Sequence, residues 1–296
     1  MDTSFIHGVI PPILTPVDES DRVVDSSMRR LVDHVIEGGV HGILAFGSNG
    51  EFYGIEHSEQ QRALAIILEQ TNHRVPVYMG LGAITTRECL KMAAMAEKEG
   101  AQAISILAPM FVAPNDNELY EHFSAIAKSV SLPVLLYNNP GRVGYNISTA
   151  LVARLAKLPN IVGMKDSSGN MTMTAEYIRL TRGEEFKVMA GKDTMILASL
   201  VYGAEGCVAS TANVVPKLVV EIYDKFRVGD LAGALEAQYK LNPFRMVFDK
   251  ASFPVATKDA ANLIGLDLGN PVLPNHSCSD EVKQQLTKTL QDIGVL

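Results

Sequence analysis

Cysteine is scarce and poorly placed for covalent or metal chemistry. Cys89, Cys207 and Cys278 are odd in number and far apart, and the chain has no Cys-x-x-Cys or His-x-x-x-His spacing. Small buried hydrophobes or inert thiols are the expectation, with neither disulfides nor a metal site. A basic block is also missing: 26 Lys+Arg stand against 33 Asp+Glu, a net charge of −7, which argues against nucleic acid or an anionic membrane as partner. No apolar run reaches the length of a membrane span, and Met1-Asp-Thr-Ser-Phe-Ile lacks the basic start and apolar centre of a secretion signal, so a cytoplasmic location is expected. The first apolar run carries Pro11-Pro12 and Thr15-Pro16 and no Gly-x-Gly-x-x-Gly loop. That absence removes the nucleotide-binding signature a doubly wound sheet would show.

What remains is a chain of 296 residues, 47% hydrophobic and 20% charged. It is long for one ordinary domain and typical of an α/β barrel with a terminal extension. Apolar runs at Gly8–Thr15, His41–Phe46, Val75–Gly80, Ala101–Leu107, Leu132–Tyr137, Ile161–Lys165, Phe186–Ala190 and Gly206–Ser210 read as eight strands. Segments with helical spacing separate them, for example Val24–Gly38, Thr86–Glu99 closed by Gly100, and Asn117–Val130. Ser58-Glu-Gln-Gln61 reads as a capping box opening another. This alternation predicts a (β/α)8 TIM barrel over 1–225. A C-terminal helical extension is expected over 226–296, with helices around Leu231–Tyr239, Pro243–Leu263 and Ser279–Leu290.

In a barrel, chemistry sits at the C-terminal ends of the strands. The sixth run delivers Lys165 where the chain turns polar, before Ser167-Ser168-Gly169-Asn170. Burying an ammonium is costly, and the neutral amine is the form that attacks a carbonyl to make a Schiff base. The other reading is a lysine held in a salt bridge, with Asp166 as partner. Gly47-Ser-Asn-Gly-Glu51 offers turn amides and a hydroxyl suited to a carboxylate, or is a plain turn. Tyr137 and Arg142 end or follow the fifth run. They read as site groups, or as a satisfied core tyrosine and a surface ion pair.

Four stretches carry a more specific signal: Gly47-Ser-Asn-Gly-Glu51, Tyr137-Asn-Asn-Pro-Gly-Arg142, Val162-Gly-Met-Lys-Asp-Ser-Ser-Gly169 and Gly203-Ala-Glu-Gly-Cys-Val-Ala-Ser-Thr-Ala-Asn213. Together and in this order they resemble the dihydrodipicolinate synthase / N-acetylneuraminate lyase family of class I pyruvate aldolases. The resemblance implies that Lys165 forms the imine with pyruvate or another 2-keto acid and that Tyr137 shuttles protons. It implies that Ser48 and Asn49 bind the pyruvate carboxylate and relay protons, and that the Val208 carbonyl lies over the bound keto acid. It also implies a homotetramer built from dimers and no cofactor beyond the lysine imine.

Departures from the family pattern bear on the substrate. Where the synthases have Pro-Tyr-Tyr, this chain has Pro109-Met110-Phe111, so the second tyrosine's hydroxyl is missing. Ser48-Asn49 replaces a threonine pair. Both that turn and Pro159–Asp166 resemble the 4-hydroxy-2-oxoglutarate aldolase branch. Arg142, in contrast, matches the arginine with which synthases hold aspartate semialdehyde. Gly191-Lys192-Asp193-Thr194 matches a loop that in the lyases contacts a sugar acid, which makes Lys192 and Asp193 candidate substrate ligands; Lys192 pairing with Asp193 or facing solvent is the alternative. Met110 and Ile84 stand where the feedback site for lysine would have an aromatic hydroxyl and an amide, so lysine inhibition is not expected. The expected function is a Schiff-base lyase, favoured as an aldolase on a 4-hydroxy-2-oxo or 2-keto-3-deoxy acid. The alternatives are 4-hydroxy-tetrahydrodipicolinate synthase, a keto-deoxy sugar acid dehydratase, and a keto-acid-binding sensor barrel.

Overall fold

The computed structural model describes residues 1–296. Its strands are β1 (Gly8–Val9), β2 (Ile43–Ala45), β3 (Val77–Leu81), β4 (Ala103–Leu107), β5 (Val134–Asn138), β6 (Ile161–Asp166), β7 (Lys187–Ala190) and β8 (Gly206–Cys207). They form one parallel sheet in the order β1-β8-β7-β6-β5-β4-β3-β2. β1 is shorter than the apolar run suggests because Pro11 and Pro12 have no N–H to donate. The chain beyond it still meets β2. His41 N–H donates to the Val9 carbonyl at 2.8 Å, Leu44 N–H to Pro11 at 2.9 Å, and Ile13 N–H to Leu44 at 3.0 Å. The sheet thereby closes into the expected (β/α)8 barrel.

Around it run α1 (Asp25–Glu37), α2 (His57–Thr71), α3 (Thr86–Glu99), α4 (Asp116–Ser129), the short α5 (Pro140–Val143), α6 (Thr149–Leu155), α7 (Met171–Thr181), α8 (Ile196–Tyr202) and α9 (Pro216–Arg227). The extension contributes α10 (Leu231–Val247), α11 (Val255–Leu263) and α12 (Asp280–Asp292). No helix is long and apolar enough to cross a membrane. Two local expectations fail. The capping box at Ser58 does not form: α2 already starts at His57 without a side-chain cap, and the Gln61 amide instead donates to Glu99 Oε1 at 2.7 Å. The stretch Pro243–Leu263 is not one helix. Pro243 lies inside α10, a 3-10 turn follows at Phe248–Lys250, and Ala251–Pro254 separates it from α11, as the constraint on the residue before proline favours.

Inward-facing residues Ile10, Leu44, Tyr78, Ala103, Leu135, Val162 and Met189 pack together in the lumen, with Ile6 and Val208. A much larger layer lies between strands and helices. Register along β6 decides where Lys165 points. Val134 pairs with Ile161, but the next residue, Leu135, pairs with Gly163, so β6 carries one extra residue at that point. Such a bulge re-aims every side chain after it. Val162 faces the lumen, so strict alternation would send Lys165 outward; the extra residue turns it inward, opposite Tyr137 on β5 and Met189 on β7. Gly163 suits this position because a Cβ there would sit 2.5 Å from the Lys187 carbonyl oxygen.

The extension is fixed to the barrel by a charge pair. Glu51, the last residue of the Gly-Ser-Asn-Gly-Glu turn, and Lys258 in α11 are both fully buried, with Nζ 2.8 Å from Oε2. The other oxygen, Oε1, accepts from Val272 N–H at 2.8 Å. Burial pulls the Lys258 ammonium below the usual lysine value, and Glu51 counteracts that pull. Removing one partner strands a buried charge, whereas removing both does not. Lys258→Met is therefore expected to lower the unfolding free energy by about 3–5 kcal/mol, and Glu51→Leu combined with Lys258→Met to recover most of the loss. Urea unfolding midpoints at unchanged slope measure both; a double variant as unstable as the single one would contradict the account.

Candidate active site

A cavity of about 530 Å3 opens at the C-terminal ends of the strands, within the size range of small-molecule sites. Lys165, Tyr137, Asn49, Arg142, Val208, Lys192 and Asp193 all line it. Ser48 lies beside it, sharing a small recess with Tyr137 and Ser105. Seven of the eight residues singled out by sequence thus face one space, and the eighth adjoins it.

At the floor, β5 and β6 set Tyr137 and Lys165 side by side in register. Both are buried, and the lysine Nζ lies over the tyrosine ring, 4.2 Å from its centroid. The salt bridge with Asp166 does not form. Asp166 follows Lys165 directly and is held by other donors: Asn138 Nδ2 at 2.9 Å, Ser168 N and Oγ both at 3.0 Å, and Thr174 Oγ1 at 2.6 Å. Lys165 is thus left without an anion, free to meet a ligand.

Burial by itself would push the Tyr137 phenol up. The positive charge of Lys165, with the hydroxyls of Ser48 and Ser167 nearby, outweighs it and leaves the phenol below the ordinary tyrosine value. Asn139 Nδ2 donates to the phenol oxygen at 2.7 Å, which further favours loss of the proton. Ser48 Oγ is buried without a well-formed hydrogen bond, as is Ser105 Oγ in the same recess. These two hydroxyls stand ready beside the phenol.

The remaining groups divide into those with free polar atoms and those already committed. Asn49 Nδ2 donates to the Pro12 carbonyl at 2.8 Å, pinning the turn to the first strand, while Oδ1 is buried and unpartnered. No donor in the protein reaches the Val208 carbonyl. Asp193 is engaged through one oxygen, Oδ2, which accepts from Ser210 Oγ at 3.1 Å, Thr211 N at 2.8 Å and Thr211 Oγ1 at 2.7 Å, while the residue still lines the cavity. It does not pair with Lys192. Neither Lys192 nor Arg142 takes part in any ion pair of the chain. Arg142 is instead held by the Phe253 ring, 4.3 Å beneath its guanidinium carbon. Gly191 is required where the seventh strand ends, since a Cβ there would strike Ser167 Oγ and lie 2.8 Å from the Asp166 carbonyl.

Phe111 does not reach the cavity: its ring is 93% exposed and its φ is +70°. No group of three or more His, Cys, Asp or Glu side chains is placed to hold a metal ion. Sequence reasoning missed Asn139 and the whole wall from the extension, Arg245, Phe248, Asp249, Ser252 and Phe253. The one available signal was Phe253-Pro254, which interrupts a helical pattern.

Residues 5–293 match the sequence profile of the dihydrodipicolinate synthetase family. A 4-hydroxy-tetrahydrodipicolinate synthase from Methanopyrus kandleri is 34% identical over 293 residues, covering 98% of this chain and 97% of that one. Among solved structures, dihydrodipicolinate synthase from Thermotoga maritima superposes with a TM-score of 0.95 at 29% identity, covering 99% of this chain and all of that one. A prophage protein of the dihydrodipicolinic acid synthase family from E. coli K12, solved in complex with pyruvate, superposes with a TM-score of 0.94 at 28% identity, with coverage of 98% and 99%.

The environment of Tyr137 has a spectroscopic consequence. In alkaline titration, wild type minus Tyr137→Phe is expected to show one phenol ionising below the ordinary value of 10.0. Lys165→Met removes the positive charge and should move that step upward. A difference step at or above the ordinary value in wild type would refute the assigned balance.

Proposed function

We propose, given that this chain belongs to the dihydrodipicolinate synthetase family, that it condenses pyruvate with a carboxylate-bearing aldehyde through an imine on Lys165, with aspartate semialdehyde as the first candidate. The observation that carries the proposal is the buried Lys165–Tyr137 pair, 4.2 Å from Nζ to ring centroid, at the floor of a cavity whose wall holds an unpaired Arg142.

In this reading the neutral Lys165 amine attacks the keto carbon of pyruvate. The carbinolamine loses water to give an iminium, and Tyr137 carries the protons that these steps exchange. The iminium is an electron sink, so C3 gives up a proton and becomes an enamine. The enamine attacks the aldehyde carbon, forming the C–C bond as the aldehyde oxygen takes a proton. With aspartate semialdehyde the acceptor's own amino group can then add to the iminium carbon and displace Lys165, closing a ring. No further cofactor is needed, because the imine itself stabilises the carbanion. The Asn49 turn and the free Val208 carbonyl are suited to the pyruvate end, and Arg142 to the acceptor carboxylate. Ser48 is assigned to the proton path beside Tyr137.

The synthase reading stood second on sequence grounds. The names of the relatives and the open guanidinium of Arg142 both weigh for it. Cleavage of a 4-hydroxy-2-oxo acid is the same bond taken in reverse and is retained as a second reading, favoured by Phe111, which brings no hydroxyl to the cavity. The exposed Phe111, with Ile84 and Val112 also exposed near the same loop, supports contact with another copy of the chain there, as the homotetramer implied by the family resemblance would have.

Intact mass after pyruvate and borohydride should show one reduced adduct on wild type and none on Lys165→Ala. Tyr137→Phe should lower kcat by about 10²- to 10⁴-fold. Pyruvate consumption should be faster with aspartate semialdehyde than release from 4-hydroxy-2-oxoglutarate; the reverse order selects the aldolase reading, and a missing adduct removes both.

A further inference from the structure

We infer that the acceptor end of the cavity is a two-armed anion site, in which Arg245 from the C-terminal helices joins Arg142 in selecting aldehydes that end in a carboxylate or a phosphate. This rests on the pyruvate-imine reading and adds to it a specificity-determining residue from outside the barrel strands.

Arg245 lies in the last turn of α10, and its side chain is only 13% exposed. A guanidinium carries five N–H donors in a fixed fork. One nitrogen, Nη1, meets Asp249 Oδ1 at 3.0 Å. Nε is buried and has no partner at all. A charged donor shut away from water without an acceptor is unfavourable; the guanidinium makes one hydrogen bond in the whole chain, and the residue lines the cavity, where a ligand oxygen can meet the outer part of the fork.

The charge balance of the wall points the same way. Besides Lys165, the lining cations are Arg142, Lys192 and Arg245; the lining acids are Asp193 and Asp249. Asp249 is paired with Arg245, and one oxygen of Asp193 already accepts three hydrogen bonds. Arg142 and Lys192 have no anion in the protein. The wall therefore carries excess positive charge, more than one small carboxylate at the lysine would balance. The short segment after α10 orients both arms: Asp249 holds Arg245, and Phe253 lies beneath Arg142. Planar forks of this kind are matched by carboxylate or phosphate oxygens.

The test uses pyruvate with two matched pairs of acceptors, succinate semialdehyde against butanal and glyceraldehyde 3-phosphate against glyceraldehyde. For each protein kcat/KM is normalised to the fraction that gives the pyruvate–borohydride adduct, so misfolded protein drops out. Arg245→Met is expected to lose about 10- to 100-fold on the anionic member of one pair while its uncharged partner changes by much less; the pair with the larger ratio identifies carboxylate or phosphate. Asp249→Asn breaks the ion pair that orients the guanidinium but keeps its charge, and should weaken the preference without reversing it. Arg245→Lys keeps one charge without the fork and should show a smaller loss of the same sign, which serves if Arg245→Met fails to fold. Equal losses on charged and uncharged acceptors, or no loss on either, overturn the inference while an adduct on wild type leaves the pyruvate reading standing. Absence of the adduct on wild type overturns both.

Discussion

The contact between Glu51 and Lys258 governs how the molecule is put together. Both side chains are withdrawn from water entirely, and neither charge is tolerable there without the other. Glu51 closes the turn whose preceding residues, Ser48 and Asn49, border the cavity, and Lys258 belongs to α11 in the extension. The pair thus couples the position of the second strand's loop to the seating of the C-terminal helices. Val272 N–H completes the carboxylate's bonding from a third segment. A conspicuous glutamate in a glycine-rich turn is therefore a fastening, while the neighbouring polar groups remain available to a ligand.

A second constraint acts within the sheet. One surplus residue in β6 changes the face on which Lys165 emerges. The same strand places Asp166 on the opposite side, where Asn138, Ser168 and Thr174 occupy it. Lysine and aspartate are neighbours in the chain yet never meet as charges, which keeps the amine open to a keto acid. Tyr137 needs no bulge, because its strand alternates regularly through Leu135, Leu136 and Tyr137. The result is a held pair: register fixes the backbones, and the lysine Nζ lies over the tyrosine ring at the edge of the cavity.

Much of this was legible in the residues. The apolar run ending on Lys165, the polar turn at Ser48-Asn49, and Tyr137 with Arg142 were readable because barrel strands are continuous apolar segments and their ends are where polarity switches on. The bulge was not, since an extra residue in a run that does not alternate leaves no periodic trace. The Glu51–Lys258 pair was invisible for a different reason: 207 residues separate its members. The engagement of one Asp193 oxygen was hidden because the hydroxyls of Ser210 and Thr211 that meet it come from the next strand's end. The wall at Arg245–Phe253 was hidden inside what read as a continuous helix, and only the proline at 254 hinted otherwise.

The cavity wall supplied by the segment after α10 also bears on the order in which the protein is made. A ribosome delivers the eight strands first, and they contain the amine, the phenol and the turn. At that stage Glu51 has no counterion and Arg142 has no ring beneath it. Both arrive only when the last fifth of the chain emerges, so a nascent chain holds Lys165 before it holds the surfaces that complete the space around it. Long-range contacts of this kind are made late and slowly. A chain ending before Phe253 would therefore carry Lys165, Tyr137 and Glu51 without the residues that enclose and balance them.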